Sequence, residues 1–424
     1  MRLPWLCLLF FGLPLHSAVA PWVTEESPSV AWKAVEDDVN GFYLLWTRSD
    51  EHGARLLGQH LTADRVSLWA VPGASLLPVL ADTASWTAFS DSTHGLGLAW
   101  VEDGKIRVQR WTSSGAPVWK TPIQVSDPRF VASMPAGVAD GGGGLYLIWA
   151  EKSYANRAVL LAQHLNAQGA SLWPTAVRVS LRPSDQRQPE IAFDGAAGFI
   201  VSWSDYRDLA SDWRVQRLNY QGFRAWGLEG ISVTSPAKSV LRIAPWGQGS
   251  LTMAWADSEN GKSHIREAQI NAQGGDIAKR ERPAPTNGDQ WNPVLAGSGS
   301  GRYWVGWEDN RNERNWQVYV RSGTQDAPLA PFVGDQGRLA LAEDENQGVF
   351  AAWIDSRKGH SAIYGQHVDA AGQALWEVAG REISGALEHP ETPVLRILGS
   401  GRIALVWADH PVKTRTRLYW QLLP

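Results

Sequence analysis

Beyond its first twenty residues the 424-residue chain contains no cysteine, the single one being Cys7. Disulfide staples and thiolate metal sites are therefore excluded from residues 21–424, and packing must supply the stability. No later segment approaches the roughly 20 uninterrupted apolar residues that a membrane-crossing helix requires, so no membrane insertion is expected. A basic excess is missing as well. Lys plus Arg is 39, Asp plus Glu is 43, and the net charge of −4 is spread without long runs, which argues against nucleic acid or an anionic membrane as partner. A sustained 3.6-residue apolar period is also lacking, which argues against helices.

The opening, "MRLPWLCLLFFGLPLHSAVA", has one early positive charge, an apolar run and small residues at Ala18 and Ala20. This composition predicts a signal peptide over 1–20 with cleavage near Ala20, a secreted or periplasmic location, and one mature domain over 21–424. The bulky Leu6 before Cys7 does not suit a lipoprotein signal.

What the chain has in abundance is tryptophan, 24 residues against three methionines. Eight of them end an apolar run: "GFYLLW" at Trp46, "GLGLAW" at Trp100, "GLYLIW" at Trp149, "GFIVSW" at Trp203, "SLTMAW" at Trp255, "RYWVGW" at Trp307, "GVFAAW" at Trp353 and "RIALVW" at Trp407. Their spacings run from 46 to 54 residues, the period of a four-stranded propeller blade. Each unit has an earlier apolar piece, such as "QPEIAFDG" or "NPVLAGSG", and a later strand with a glutamine at Gln59, Gln109, Gln163, Gln216, Gln269, Gln366 or Gln421. Only the sixth unit departs, with Arg321. A turn and a second tryptophan follow at Trp69, Trp119, Trp173, Trp226 and Trp376. A buried amide must satisfy its donors and its acceptor, so the glutamine is expected to bridge strands or blades.

Four strands per unit and eight units predict an all-β, eight-bladed propeller with four antiparallel strands per blade. The last unit stops after its third strand at "LYWQLLP", while "PWVTEE" precedes the first inner strand. Residues near Trp22 to Thr24 are expected to supply the missing outer strand and close the ring, since an open edge is a liability.

The pattern W-x-D-x-R followed by Q-x-L-N-x-x-G-x-x-x-W resembles a repeat of secreted bacterial β-propellers. The turns "LNAQGASLW" and "VDAAGQALW" also resemble the tryptophan-docking motif of eight-bladed quinoprotein propellers, though one residue shorter. The resemblance implies the architecture. It does not imply the quinone, because the adjacent cysteines of many members are absent, and no cofactor is expected.

An acidic residue stands two after most of the first tryptophans, and arginine follows it in three units. Repetition assigns Trp203, Asp205, Arg207, Asp309, Arg311, Asp355 and Arg357 to the scaffold, the carboxylate holding a turn and the guanidinium. The nine histidines of residues 21–424 show no metal spacing, and "GGGG" at 141–144 precedes a strand, so neither metal nor phosphate cradle is expected. In a propeller the second-to-third and fourth-to-first connections share one face, and the D-x-R turns are expected to ring the channel mouth there. Candidate binding residues on that face are Asp185, Gln186, Arg187, Trp213, Asp289, Gln290, Trp291, Arg314 and Trp316, exposed indoles beside arginine suiting a sugar or a protein partner. These observations point to a monomeric, non-enzymatic propeller that binds an unidentified protein or glycan, or acts as a scaffold. The alternative is a polysaccharide hydrolase or lyase at the channel mouth. No non-repeated acid and base converge in the sequence, so no catalytic residue is assigned.

Overall fold

The computed structural model describes residues 20–423 apart from 28–29, 52, 65, 70–72, 81–85, 153–156, 208–209, 235–239, 260, 275–277, 281–286, 298–301, 324–325, 332–333, 400 and 413–414. The expected signal peptide, residues 1–20, falls outside them except for its last residue. Among the described residues there is no helix, and the strands form eight four-stranded antiparallel sheets. Blade 4 shows the plan, with strands Asp185–Phe193, Gly198–Arg207, Ala210–Asn219 and Ile231–Thr234 paired in chain order. The first strand of every blade touches the first strand of the next, and that of blade 8 touches that of blade 1. First strands therefore line the central channel.

Closure runs through the chain ends as the sequence predicts. In blade 8, Val394–Ile397, Ile403–Val412 and Arg415–Leu423 are completed by Val23–Glu25, with Val23 opposite Leu418 and Glu25 opposite Thr416.

The second strands read as continuous apolar runs because both of their faces are covered. In blade 4, Phe199, Val201 and Trp203 pack with Tyr146 and Ile148 of blade 3, whereas Ile200 joins Met253 and Trp255 of blade 5. All eight first-position tryptophans are 2% exposed or less, so this repeat is core. Each burial is worth about 4 to 6 kcal/mol gross, before ordering costs. Gly73, Gly230 and Gly380 sit in the left-handed region directly against the rings of Trp46, Trp203 and Trp353. A Cβ there would lie 2.7 to 2.9 Å from the indole.

Candidate functional site

Most of the repeated polar residues are consumed by four kinds of structural joint. The first is the tryptophan clip. The Trp203 indole donates to Asp205 Oδ2 at 2.9 Å, and Arg207 donates to both carboxylate oxygens at 2.7 and 3.0 Å. Trp307, Asp309 and Arg311 repeat this arrangement, as do Trp353, Asp355 and Arg357. Burial opposes ionisation of Asp205 and Asp309, but the arginine, indole and neighbouring side-chain donors outweigh it and hold both below the usual aspartate range.

The guanidinium then reaches the segment entering the outer strand: Arg207 binds Glu229 at 2.6 Å, Arg311 binds Asp326 at 2.9 Å, and Arg357 donates to the Ala379 carbonyl at 2.7 Å. These side chains turn outward. The expectation that they ring the channel mouth is corrected accordingly, because their further acceptors, two carboxylates and one backbone carbonyl, lie on the outer segments.

The second joint is the repeated glutamine. Gln163 accepts from the His164 amide at 2.8 Å and donates to the Trp173 carbonyl at 3.2 Å. Gln59, Gln109, Gln216 and Gln366 do the same within their own blades, Gln216 and Gln366 donating one residue past the tryptophan. The bridge is thus between a strand and the following turn, and it is the second tryptophan that crosses between blades. The indoles of Trp69, Trp119, Trp173 and Trp226 donate to Ser113, Ala167, Tyr220 and Ala272 carbonyls of the next blade at 2.8 to 3.2 Å. Arg321, the departure in blade 6, instead binds Glu267 of blade 5 and Asp326.

The third joint went unread in the sequence. In blades 1 to 4 and 7 an aspartate in the first hairpin accepts two backbone N–H groups, as Asp140 does from Gly142 at 2.7 Å and Gly144 at 2.8 Å. Its other oxygen meets the residue after the repeated glutamine: His60 with Asp37, Arg110 with Asp91, His164 with Asp140, Arg217 with Asp194 and His367 with Asp344, at 2.6 to 2.8 Å. The spacing D-x-x-x-G was visible and is the signal that could have found it.

The fourth joint absorbs several candidate binding residues. Gln186 is fully buried and accepts from Leu160 of blade 3 at 2.7 Å, while Asp185 accepts from Ala158 at 3.1 Å. Asp289 and Gln290 likewise accept from Ser263 and Ile265 of blade 5, and Gln290 also donates to Asp309 at 2.8 Å. Trp213 is 5% exposed and packs with Trp226, Leu241 and Trp255 between blades 4 and 5. The expected exposed indole there is corrected: strand alternation turns this side chain inward. Arg187 is exposed, pairs with Asp185 at 2.6 Å and lies over the Tyr206 ring. Arg314 is exposed, and half-buried Trp316 donates its backbone N–H to Asp335 at 3.1 Å.

Trp291 is the candidate that remains open, 37% exposed on the channel wall. It borders a cavity of about 420 Å³ with Arg242, Asn292, Glu308, Arg338 and Thr392, which come from blades 5 to 8. A bulge shapes it. In blades 3, 4, 6 and 7 two residues of the first strand oppose the single first-position tryptophan. Their leading residues Met134, Gln188, Asn292 and Arg338 take φ of 50 to 53°. That left-handed conformation costs roughly 1 to 2 kcal/mol in a non-glycine residue and is a device for re-aiming side chains. Asn292 consequently donates to Glu308 at 2.9 Å, and Glu308 also accepts from the Arg338 amide at 2.7 Å.

A second cavity of about 760 Å³ lies along the first strands of blades 8, 1 and 2 and shares Thr392 with the first. It contains Lys33, Glu36 and Arg396, none singled out by the sequence reading. Their signal was a charge inside an innermost apolar strand, as in "WKAVE" and "VLRI". Among the described residues no three His, Cys, Asp or Glu side chains are grouped to hold a metal ion.

Fold and cavities together define an all-β propeller with a central channel. No protein-family model matches the chain, and no curated protein is similar to it in sequence. Among solved structures, a prolyl endopeptidase aligns with a TM-score of 0.52 at 11% identity, covering 91% of this chain and 54% of that one. The β-propeller domain of the trilobed protease from Pyrococcus furiosus gives 0.46 at 9% identity, covering 78% and 93%. The Penicillium chrysogenum α-L-arabinanase complexed with arabinobiose gives 0.40 at 14% identity, covering 70% and 94%. At these identities the likeness is one of fold alone.

Proposed function

We propose that the chain is an exported, non-catalytic propeller that binds glycan at the mouth of its channel. The observation that carries this reading is the Trp291 concavity, where a half-open indole stands beside Arg242, Asn292, Glu308 and Arg338. An apolar ring face edged by a few fixed polar groups suits a sugar, whose two faces are apolar and whose rim is hydroxylated. A non-catalytic role is supported by the occupied carboxylates: Asp205, Asp309 and Asp355 are each held by an indole and an arginine. Export is supported by the composition of residues 1–20.

The test is a glycan array run with wild type and Trp291→Ala, in parallel with reducing-sugar release on the glycans that bind. Binding that depends on Trp291 without release of reducing ends is expected. Catalytic release of reducing ends would replace this reading with a hydrolase, and binding only to proteins would replace it with a protein-docking surface.

A further inference from the structure

We infer that the larger cavity is a subsite for the carboxylate of an acidic sugar, held between Lys33 and Arg396. The inference rests on the glycan reading for its choice of a sugar, whereas the anion site stands on the channel wall alone.

Lys33 lies on Trp32–Glu36 of blade 1 and Arg396 on Val394–Ile397 of blade 8, neighbouring innermost strands that border the same 760 Å³ space. That volume is within the range of small-ligand pockets. Lys33 Nζ donates to Thr87 Oγ1 at 3.1 Å. Arg396 donates through Nε to the Ala34 carbonyl and through Nη1 to the Leu395 carbonyl, both at 2.8 Å. These partners are neutral, and among the described residues neither cation is joined to a carboxylate. Arg110, Arg207, Arg311 and Arg357, by contrast, each hold one. Burial lowers the pKa of Lys33, and the nearby charge of Arg396 lowers it further.

The two acids on the same wall do not neutralise the pair. Glu391 accepts from the Trp32 indole at 2.8 Å and meets His410 at 2.7 Å. Glu36 is pushed up by burial, toward its neutral form. Two half-buried cations that hold no carboxylate are costly, and an anion entering between them offsets that cost. A single negative charge fits better than a double one, because the Glu391 carboxylate borders the same space and repels a dianion more strongly. A carboxylate also matches the planar guanidinium edge. The shared Thr392 connects this space to the Trp291 mouth, so one chain of sugar units can occupy both.

The experiment is calorimetric titration of the full chain with D-galacturonate, D-galactose and inorganic phosphate. Galacturonate is expected to bind at least tenfold more tightly than galactose, to bind more tightly than phosphate, and to weaken as salt is added. Lys33→Gln and Arg396→Gln are each expected to weaken it at least tenfold, while substitution of the exposed Lys120, Lys120→Ala, leaves it unchanged. Equal binding of galacturonate and galactose, preference for phosphate, or unaltered binding by variants that melt as wild type does would overturn the inference. Should Arg396→Gln not fold, Lys33→Gln and the three-ligand comparison on wild type decide the matter. Trp291→Ala on the glycan array reads the mouth, and these monosaccharides read the channel, so failure of one is distinguishable from failure of the other.

Discussion

Glu25 of the N-terminal strand accepts from the Trp46 indole at 2.7 Å and from Arg48 at 2.8 Å, so a carboxylate from the closing strand completes the tryptophan clip of blade 1. In blades 4, 6 and 7 the carboxylate stands two residues after the tryptophan, where blade 1 has Arg48. The closing strand therefore does two things at once: it pairs with blade 8 and supplies the missing acid to blade 1. Glu25→Ala is expected to cost about 2 to 3 kcal/mol, since a buried charge-assisted contact is lost and the indole is left unpaired. Chemical denaturation checks this, and a loss below about 0.5 kcal/mol would show that the pairing of Val23 and Thr24 alone holds the closure.

Asp205→Asn, Asp309→Asn and Asp355→Asn are expected to lower stability by similar amounts, about 1 to 2 kcal/mol each, because all three sit in the same indole and arginine environment. If one of them removed glycan binding while leaving its melting temperature alone, that site would be functional and not scaffold.

The hairpin aspartates take histidine in blades 1, 3 and 7 but arginine in blades 2 and 4. His164→Arg is accordingly expected to fold with a stability within about 1 kcal/mol of wild type, whereas His164→Ala leaves Asp140 without its partner and costs about 1 to 3 kcal/mol. Thermal melts of the pair test it. Equal losses would mean that the aspartate is satisfied by its backbone donors alone.

Asp140 also carries a pH signature. Burial opposes its ionisation, but His164 and the Gly142 and Gly144 amides outweigh it and hold the folded pKa below the ordinary value. Its contribution is therefore full above the unfolded value of about 3.9 and is lost as pH falls through the lower folded value. The stability gap between wild type and Asp140→Asn should be widest near neutrality and close progressively below about pH 4. A gap that widens on acidification would reverse the sign of this linkage.

The blade count, the strand order and the closure were legible because burial on both faces of each second strand forces the same apolar run and terminal tryptophan in every unit. Trp291 was legible as a non-repeated indole at a loop end. Trp213 looked the same in sequence, yet strand alternation buries it, and only the register against Thr234 and Ser204 decides that. Lys33 and Arg396 escaped notice because they share a cavity only when the ring closes, and Arg242 and Arg338 because they border theirs from different blades. The bulges that aim Asn292 and Arg338 were equally hidden, since a left-handed asparagine or arginine has no compositional mark.

The most direct measurement is the affinity of wild type and Trp291→Ala for a glycan retained on the array, taken by calorimetry with melting temperatures recorded alongside. A loss of at least tenfold in affinity with an unchanged melting temperature and no release of reducing ends is expected if the channel mouth is a glycan-binding site. Equal affinity in the two proteins, or turnover of the glycan by wild type, would contradict it.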